Sequence, residues 1–408
     1  MYFGKNNKYK TQTYFLSLIF ILSLMEIFSF GMKPGCKQQK PLKSGSEQLD
    51  LYLSLLKGRN VAVVCNQTSR IGKTHLVDSL LSRDVRIVKL FAPEHGIRGQ
   101  QDAGAHIKNQ SDAKTGLPIL SLYSSKKKKP SLEDLAGVDL VLFDIQDVGV
   151  RFYTFISSLH YVMEACAEQG KELIVLDRPN PNGHYVDGPV LDTAFRSFVG
   201  VDPIPIVYGM TIGELAKMIQ GEHWINRAKE LKLTVIPCKN YHHELMLELP
   251  IKPSPNLPNS RAVWLYPSLC FFEGTEISLG RGTEAPFQIF GHPNLLIRDS
   301  SFTPMDKEGA MNPPQEGKKC FGRSLRSFPA QNIFNEKKIQ LSYLLDAFQN
   351  FPNKDSFFLR THFIDQLAGT DQLRTMILKG AKETEIRKSW SKGMADFKMK
   401  RKKYLIYP

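Results

Sequence analysis

The sequence predicts an α/β fold: a doubly wound, mostly parallel sheet followed by a second, smaller α+β domain. Three observations carry that prediction. Between residues 60 and 237, short runs rich in β-branched residues alternate with stretches of helical periodicity, the pattern of successive βαβ units. Runs such as 138–144 (VDLVLFD) are apolar without alternation, as strands covered on both faces of a parallel sheet are. From about Tyr241 the rhythm stops, and Pro250, Pro253, Pro255, Pro258, Gly274, Gly280, Gly282 and Gly291 punctuate an irregular stretch. With 408 residues the chain is long enough for two cores. It divides into a leader and linker over 1–45, a first domain over 46–240 and a second over 241–408.

Taken in order, a polar linker near 41–46 leads to a strand at 60–65 (NVAVVC), the turn Asn66, Gln67, Thr68, and a helical stretch at 74–82. Gly72, Lys73 and Thr74 after a strand invite comparison with a phosphate-binding loop. That cradle needs a glycine five residues before Gly72, where Gln67 stands, and no GxGxxG follows the strand; no dinucleotide is expected. The second strand, 85–91, stops at Pro93 and delivers Glu94, His95 and Arg98 to the rim of the sheet. The polar segment 96–116 precedes a short strand at 117–123, and so long a connection in a packed domain is usually functional. After 138–144, Phe152, Phe155, Ile156, Leu159, Val162 and Met163 recur at helical spacing up to Gly170. The strand 172–176 ends in the turn DRPNPNG, which can continue neither helix nor strand. A strand is expected at 205–208, then a helix through Gln220 opened by a Thr211–Glu214 capping box, and a last strand at 233–237. In the second domain Ile386, Trp390 and Phe397 mark one helix face, and the basic stretch 398–403 suits the negative pole of that helix.

The net charge of +14 favours anionic partners, but the excess sits in solvated lysine runs without interleaved aromatics, which argues against nucleic acid. Lys5, Lys8 and Lys10 precede the apolar stretch 14–25, and Ser29 and Gly31 suit a signal peptidase; export to the periplasm or cell envelope is expected. The stretch is short and Glu26 interrupts it, which favours cleavage over a permanent span. Cys36 after Gly35 offers an acceptor for lipid and a route to membrane attachment, against which Lys33 and Pro34 count. The six cysteines lack close pairs, so no zinc ribbon or redox CxxC is expected. His242 and His243 are adjacent, and two adjacent rings do not face one ion.

Open α/β sheets bind ligands outside the carboxyl ends of their strands. The strand-end residues Asn66, Glu94, His95, Arg98, Asp144, Asp147, Arg151, Asp177, Asn180, Asn182 and Tyr208 are therefore expected on one rim. The second domain adds Glu273 and Arg281 on glycine-bearing loops, and two polar faces that meet make a cleft. Several carboxylates in one cleft can hold different proton affinities. Glycoside hydrolysis needs this most directly, with one acid protonating the leaving oxygen while a second group attacks or activates water. Asparagines and an arginine on such loops suit a hydroxylated, acetamido-bearing, anionic sugar. The plainer alternatives are that Asp144 and Asp177 cap the helices that follow, that His95 buttresses its turn, and that Tyr153 belongs to the core. Glu94 is harder to explain away, since glutamate gains nothing obvious in a Pro–Glu–His–Gly turn.

Six motifs in order, FAPEHGIRG (91–99), FDIQDVGVRFYTF (143–155), VLDRPNPNG (175–183), PIPIVYGMTIGELA (203–216), PSPNLP (253–258) and EGTEISLGRGTEAPF (273–287), resemble the NamZ family of bacterial exo-β-N-acetylmuramidases. The resemblance covers the chain from about Asn60 onward. It implies a Rossmann-like catalytic domain and a smaller auxiliary domain completing the cleft. It also implies an exported glycosidase that releases terminal β-1,4-linked N-acetylmuramic acid from non-reducing ends of peptidoglycan fragments. Carried over by position, it makes Glu94 the leading catalytic residue, with His95, Asp147, Arg151, Asp177, Asn180 and Arg281 lining the cleft, and it favours Glu273 over Glu276 as the second group. Asn66, Arg98, Asn182 and Tyr208 complete the expected substrate-binding set. Neither cofactor nor metal is expected, and the partners are peptidoglycan-derived MurNAc-GlcNAc saccharides. His184 stands where relatives commonly carry a second glycine, and residues 124–129 replace a glycine turn. Two other classes remain as readings. A non-catalytic periplasmic glycan-binding protein would tolerate loss of Glu94, and a metal-dependent esterase would respond to chelators.

Overall fold

A computed structural model describes residues 40–94, 96–97, 110–123 and 127–408. His95, Arg98, the leader and Cys36 lie outside the described residues. Seven strands form the main sheet: β1 (Val61–Cys65), β2 (Ile87–Ala92), β3 (Gln110–Ser111), β4 (Pro118–Ser121), β5 (Leu140–Asp144), β6 (Glu172–Leu176) and β7 (Leu233–Ile236). Their spatial order is β3, β4, β2, β1, β5, β6, β7. All neighbours are parallel except β3 against β4 at the edge. The six parallel strands thus lie in the order third, second, first, fourth, fifth, sixth, that of a doubly wound sheet.

The continuous apolar runs explain why both faces are covered. Ala62, Val64, Val141 and Phe143 turn to one hydrophobic cluster, and Val61, Val63, Cys65, Leu140 and Leu142 to the other. The second cluster is closed by α1 (Leu49–Leu56) and α2 (Leu76–Leu81), the first by α3 (Phe155–Glu168) and α4 (Ile212–Gly221). At the start of α4 the Glu214 amide donates to Thr211 Oγ1 at 3.2 Å and the Thr211 amide to Glu214 Oε2 at 2.8 Å, the expected capping box.

Two local expectations change. The helix expected from Thr74 begins only at Leu76, because Thr74–His75 pairs with Arg70–Ile71 in a ribbon turned by Gly72 at φ +57°. Residues 205–208 do not form a ladder: Pro205 has no N–H to give, and Val207 makes isolated bridges to Val150 and Asp187 instead.

The second half contains α5 (Ser260–Leu269), an antiparallel sheet of β8 (Ile289–His292), β9 (Ser300–Phe302) and central β10 (Cys320–Ser324), then α6 (Ala330–Asn335), α7 (Ser342–Gln349), α8 (Phe363–Ala368), α9 (Gln372–Leu378) and α10 (Glu383–Arg401). Ile386, Trp390 and Phe397 are the buried face of α10, as expected. The core does not stop at the boundary between halves. Phe143, Phe155 and Leu215 belong to the same cluster as Tyr266, Phe272, Phe287 and Phe357. The end of the chain returns to the first half: the Tyr407 hydroxyl donates to Asp177 Oδ2 at 2.5 Å, and the amides of Ile406 and Tyr407 donate to Glu214 Oε1 at 2.7 and 3.2 Å. The His243 amide donates to the Pro408 carbonyl at 3.0 Å.

Candidate active site

Strand β2 ends at Ala92, and Pro93 turns the chain so that Glu94 stands at the strand's carboxyl end. The Glu94 carboxylate accepts a hydrogen bond from Thr154 Oγ1, just before α3, and another from the Tyr123 hydroxyl beyond β4. Two hydroxyls from different loops thereby fix its direction. Glu94 lines a cavity of about 430 Å3 together with Tyr123, Tyr153, Thr154, Ser254, Asn256, Tyr266, Glu273, Arg281, Phe287 and the 309–314 loop.

The second half contributes the other charged groups. Glu273 sits in the 3-10 turn Cys270–Gly274 that follows α5. One of its oxygens is ion-paired with Arg281 Nη2, and the other lies 3.8 Å from the Cys270 thiol. The Arg281 guanidinium also lies 5.1 Å from the centre of the Phe287 ring, a cation–π contact that holds it on the cavity side.

Aromatic rings form much of the remaining wall. Tyr266 meets Tyr153 and Phe287 edge-on at 5.9 and 5.0 Å between centroids, geometry that locks each ring. Burial, reinforced by the Asp147 and Glu94 charges, pushes the Tyr153 phenol far above its usual value; burial and Glu94 do the same to Tyr123, and burial above all to Tyr266. All three phenols therefore stay protonated at neutral pH and can donate hydrogen bonds.

The rest of the expected rim turns inward. Asn66 Oδ1 accepts from the Thr68 amide at 2.9 Å and the Thr68 hydroxyl at 2.5 Å, closing the turn after β1. Both Asp144 oxygens accept from Arg178 at 2.7 Å. Asp147 Oδ2 accepts from the Gly149 amide at 2.6 Å and from the Tyr208 hydroxyl, and burial raises the Asp147 carboxyl to about 6. Arg151 is fully buried and donates to the carbonyls of Pro189, Ile204 and Leu367 at 2.9, 2.7 and 3.0 Å; burial lowers it to about 9. Asp177 accepts from the amides of Arg178 and Gly213 at 2.9 and 2.7 Å and from the hydroxyls of Thr211 and Tyr407 at 2.7 and 2.5 Å, with its carboxyl raised to about 6 by burial. Asn180 Nδ2 donates to the Met210 carbonyl and its Oδ1 accepts from the Asn182 amide, while Asn182 Nδ2 donates to the carbonyls of Val148 and Val263.

For Asn66, Asp147, Asp177, Asn180 and Asn182 the physical reason is the same. Tight turns at strand ends leave backbone N–H and C=O groups unpaired in the interior, and short polar side chains satisfy them. The crevice between β1 and β5, where a doubly wound sheet reverses its order, is thus closed by the chain itself: Ser69 Oγ donates to the Asp144 carbonyl and the Gln146 amide to Thr68 Oγ1. The cavity lies instead at the end of β2. Of the expected set, Glu94, Glu273 and Arg281 line it; Asn66, Asp147, Arg151, Asp177, Asn180, Asn182 and Tyr208 are not on its wall. Asp147 reaches it only through its field on Tyr153. Sequence reasoning did not single out Tyr123, Thr154, Ser254 or Asn256, and it assigned Tyr153 to the core. The motif PSPNLP was the signal for Ser254 and Asn256.

An α/β scaffold that joins two carboxylates and several phenols in one cavity has the equipment of a glycoside hydrolase. Residues 61–261 match the family model described as exo-beta-N-acetylmuramidase NamZ, N-terminal, and residues 264–407 match its C-terminal counterpart. The chain belongs to the exo-β-N-acetylmuramidase NamZ family, a family of glycosidases. It is 36% identical over 425 aligned residues to the peptidoglycan beta-N-acetylmuramidase NamZ of Bacillus subtilis, covering 97% of this chain and all of the relative. Crystal structures of two DUF1343 family proteins from Bacteroides fragilis share the fold. One is 47% identical with a TM-score of 0.83, the other 28% identical with a TM-score of 0.73, and each alignment covers 90% of this chain and 99% of the other.

Proposed function

We propose that this chain releases terminal β-1,4-linked N-acetylmuramic acid from the non-reducing ends of peptidoglycan fragments, in cell-wall turnover and recycling. The observation that carries the proposal is that Glu94 and Glu273, one from each half of a NamZ-family chain, line the same cavity. Glu94 is the proton donor to the leaving glycosidic oxygen, aimed by the Thr154 and Tyr123 hydroxyls. Glu273 is the second group, steadied by Arg281, and acts on the water or on the positive charge that develops at the sugar ring. The remaining guanidinium donors of Arg281 suit the lactyl carboxylate that distinguishes muramic acid from glucosamine.

The test is hydrolysis of a chromogenic β-N-acetylmuraminide by the purified protein. Glu94→Gln should lower turnover by roughly 10²–10⁴-fold with the fold intact. Binding of a muropeptide without any release of reporter would select the non-catalytic glycan-binding reading instead. Export is part of the proposal: it is supported by the lysines and apolar stretch before residue 26, with Cys36 as a lipid acceptor. The mass of the protein recovered from the cell envelope tests both. Among the described residues no helix is long and apolar enough to cross a membrane.

A further inference from the structure

The turn 253–258 (PSPNLP), just before α5, places Ser254, Asn256 and Leu257 on the wall of the cavity that holds Glu94, Glu273 and Arg281. Its shape is fixed from three sides. The Leu257 amide donates to the Ser254 carbonyl at 3.2 Å, which closes the turn. Pro253, Pro255 and Pro258 restrict its backbone. From the first half, Gln67 Nε2 donates to the Pro253 carbonyl at 2.9 Å. Asn256, between Ser254 and Leu257, is 5% exposed, so its side chain is held in place before any ligand arrives.

The direction of the Asn256 amide follows from its partner. Nδ2 donates to the Gly309 carbonyl at 2.8 Å. A carbonyl can only accept, so the nitrogen must face it and Oδ1 points away from it. Among the described residues Oδ1 takes no hydrogen bond. Nor is it one of the polar atoms sealed inside the chain without a partner, as Asn66 Nδ2 and Asn182 Oδ1 are. On a cavity wall such an oxygen is an acceptor turned to whatever fills the space.

The ligand must therefore bring a donor, and the surroundings narrow which one. Leu257 follows Asn256 in the chain, Ala310 and Met311 follow its partner Gly309, and all three line the same cavity. A donor carried beside an apolar group suits this stretch of wall. The acetamido group of an N-acetylated sugar has that pattern: its N–H can only donate, and its methyl group matches the apolar neighbours. A site built to accept a hydrogen bond also rejects an analogue that lacks the donor, because the acceptor is then left unpaired. We propose that Asn256 determines specificity by accepting the acetamido N–H of the N-acetylmuramic acid unit in the cavity. Asn66, Asn180 and Asn182 spend their amides on the chain itself; Asn256 spends only one end of its own. The identity of the sugar rests on the glycosidase reading; the direction of the amide does not.

The experiment compares two ligands in three proteins. N-acetylmuramic acid and its 2-deoxy analogue, which has no donor at that carbon, are titrated by calorimetry into the full chain, Asn256→Ala and Asn256→Asp, and the Tm of each protein is recorded. Both variants lose the bond to Gly309, so a loosened 309–314 loop affects both alike; only aspartate keeps an acceptor toward the cavity. The preference for N-acetylmuramic acid over the analogue, read as the ratio of Kd values, should fall by about 5–30-fold in Asn256→Ala. In Asn256→Asp it should stay within about threefold of the original. An unchanged ratio in Asn256→Ala would overturn the proposal. So would a ratio in Asn256→Asp that falls as far as in Asn256→Ala, or no saturable binding of N-acetylmuramic acid up to about 100 mM. Hydrolysis of the chromogenic muraminide by the original protein is measured in parallel. Binding with the expected ratios but no release of reporter sinks the catalytic reading alone, and release with a ratio that Asn256→Ala leaves unchanged sinks this inference alone.

Discussion

Asp177 tests whether a carboxylate at a strand end serves the substrate or the fold. It is fully buried, makes four hydrogen bonds to the chain's own donors, and is absent from the wall of the Glu94 cavity. Burial raises its carboxyl from the usual 3.8 to about 6. A carboxyl raised on folding contributes stability that is fully present below its unfolded value and lost as the pH climbs through its folded one. A rise of that size is worth about 3 kcal/mol, most of it expressed between pH 4 and 6.5. Asparagine keeps the shape and one acceptor for the amides of Arg178 and Gly213, and the Thr211 and Tyr407 hydroxyls can rotate to accept from the new amide. Asp177→Asn is neutral at every pH, so the stability of the original protein relative to the variant should fall by about 3 kcal/mol as pH rises through that window. With an unfolding entropy near 2.1 cal/mol/K per residue, a folded unit spanning Leu42–Pro408 loses about 4 °C in Tm for that change. The assay is a pair of thermal melts across pH 4 to 7, with muraminide turnover measured at one pH on both proteins. A difference in Tm that stays flat with pH, or a turnover lowered by more than about 100-fold at undiminished stability, would refute the structural role and return Asp177 to the substrate.

Tyr123→Phe removes one of the two hydroxyls that aim the Glu94 carboxylate; muraminide kcat/KM should fall by about 5- to 10-fold with the Tm little changed. Asp147→Asn should show the same sign of pH-dependent stability as Asp177→Asn, since burial also raises Asp147 to about 6; melts of the two variants side by side check this. Arg281→Ala should narrow the preference for N-acetylmuraminides over N-acetylglucosaminides, read from the ratio of kcat/KM values for the two chromogenic substrates. In Gly149→Ala a Cβ would stand 2.1 Å from Asn180 Oδ1 on a backbone at φ +76°, so denaturant unfolding should show a loss of about 2 kcal/mol or more.

The sheet was legible because its signal is redundant: 61–65, 140–143 and 173–176 are apolar throughout, and both faces of the sheet confirm why. Thr211 and Glu214 announce a helix start by a three-residue spacing that no other structure needs. The site was less legible. A carboxylate after a strand reads the same whether it lines a cavity, like Glu94, or pins a turn, like Asp177. The difference lies in which donors a distant segment brings to it, here the Gly213 amide and the Tyr407 hydroxyl. Arg151 misled for a related reason: its donors end on three carbonyls, one of them from Leu367, far away in the sequence. Tyr153 was hidden in the other direction, since a tyrosine in an aromatic run looks like packing even when the residue lines a cavity. Residues 205–208 show that a β-branched run is insufficient where Pro205 removes the donor a ladder requires.

The return of residues 406–408 to the corner of β6 and α4 has a consequence for biosynthesis. Asp177 and Glu214 belong to the earlier-translated half, yet the groups that complete their hydrogen bonding leave the ribosome 230 and 192 residues later, respectively. The nascent sheet therefore waits, with two buried acids incompletely met, until the final peg arrives. Removing residues 406–408 therefore acts on the earliest-made part of the molecule.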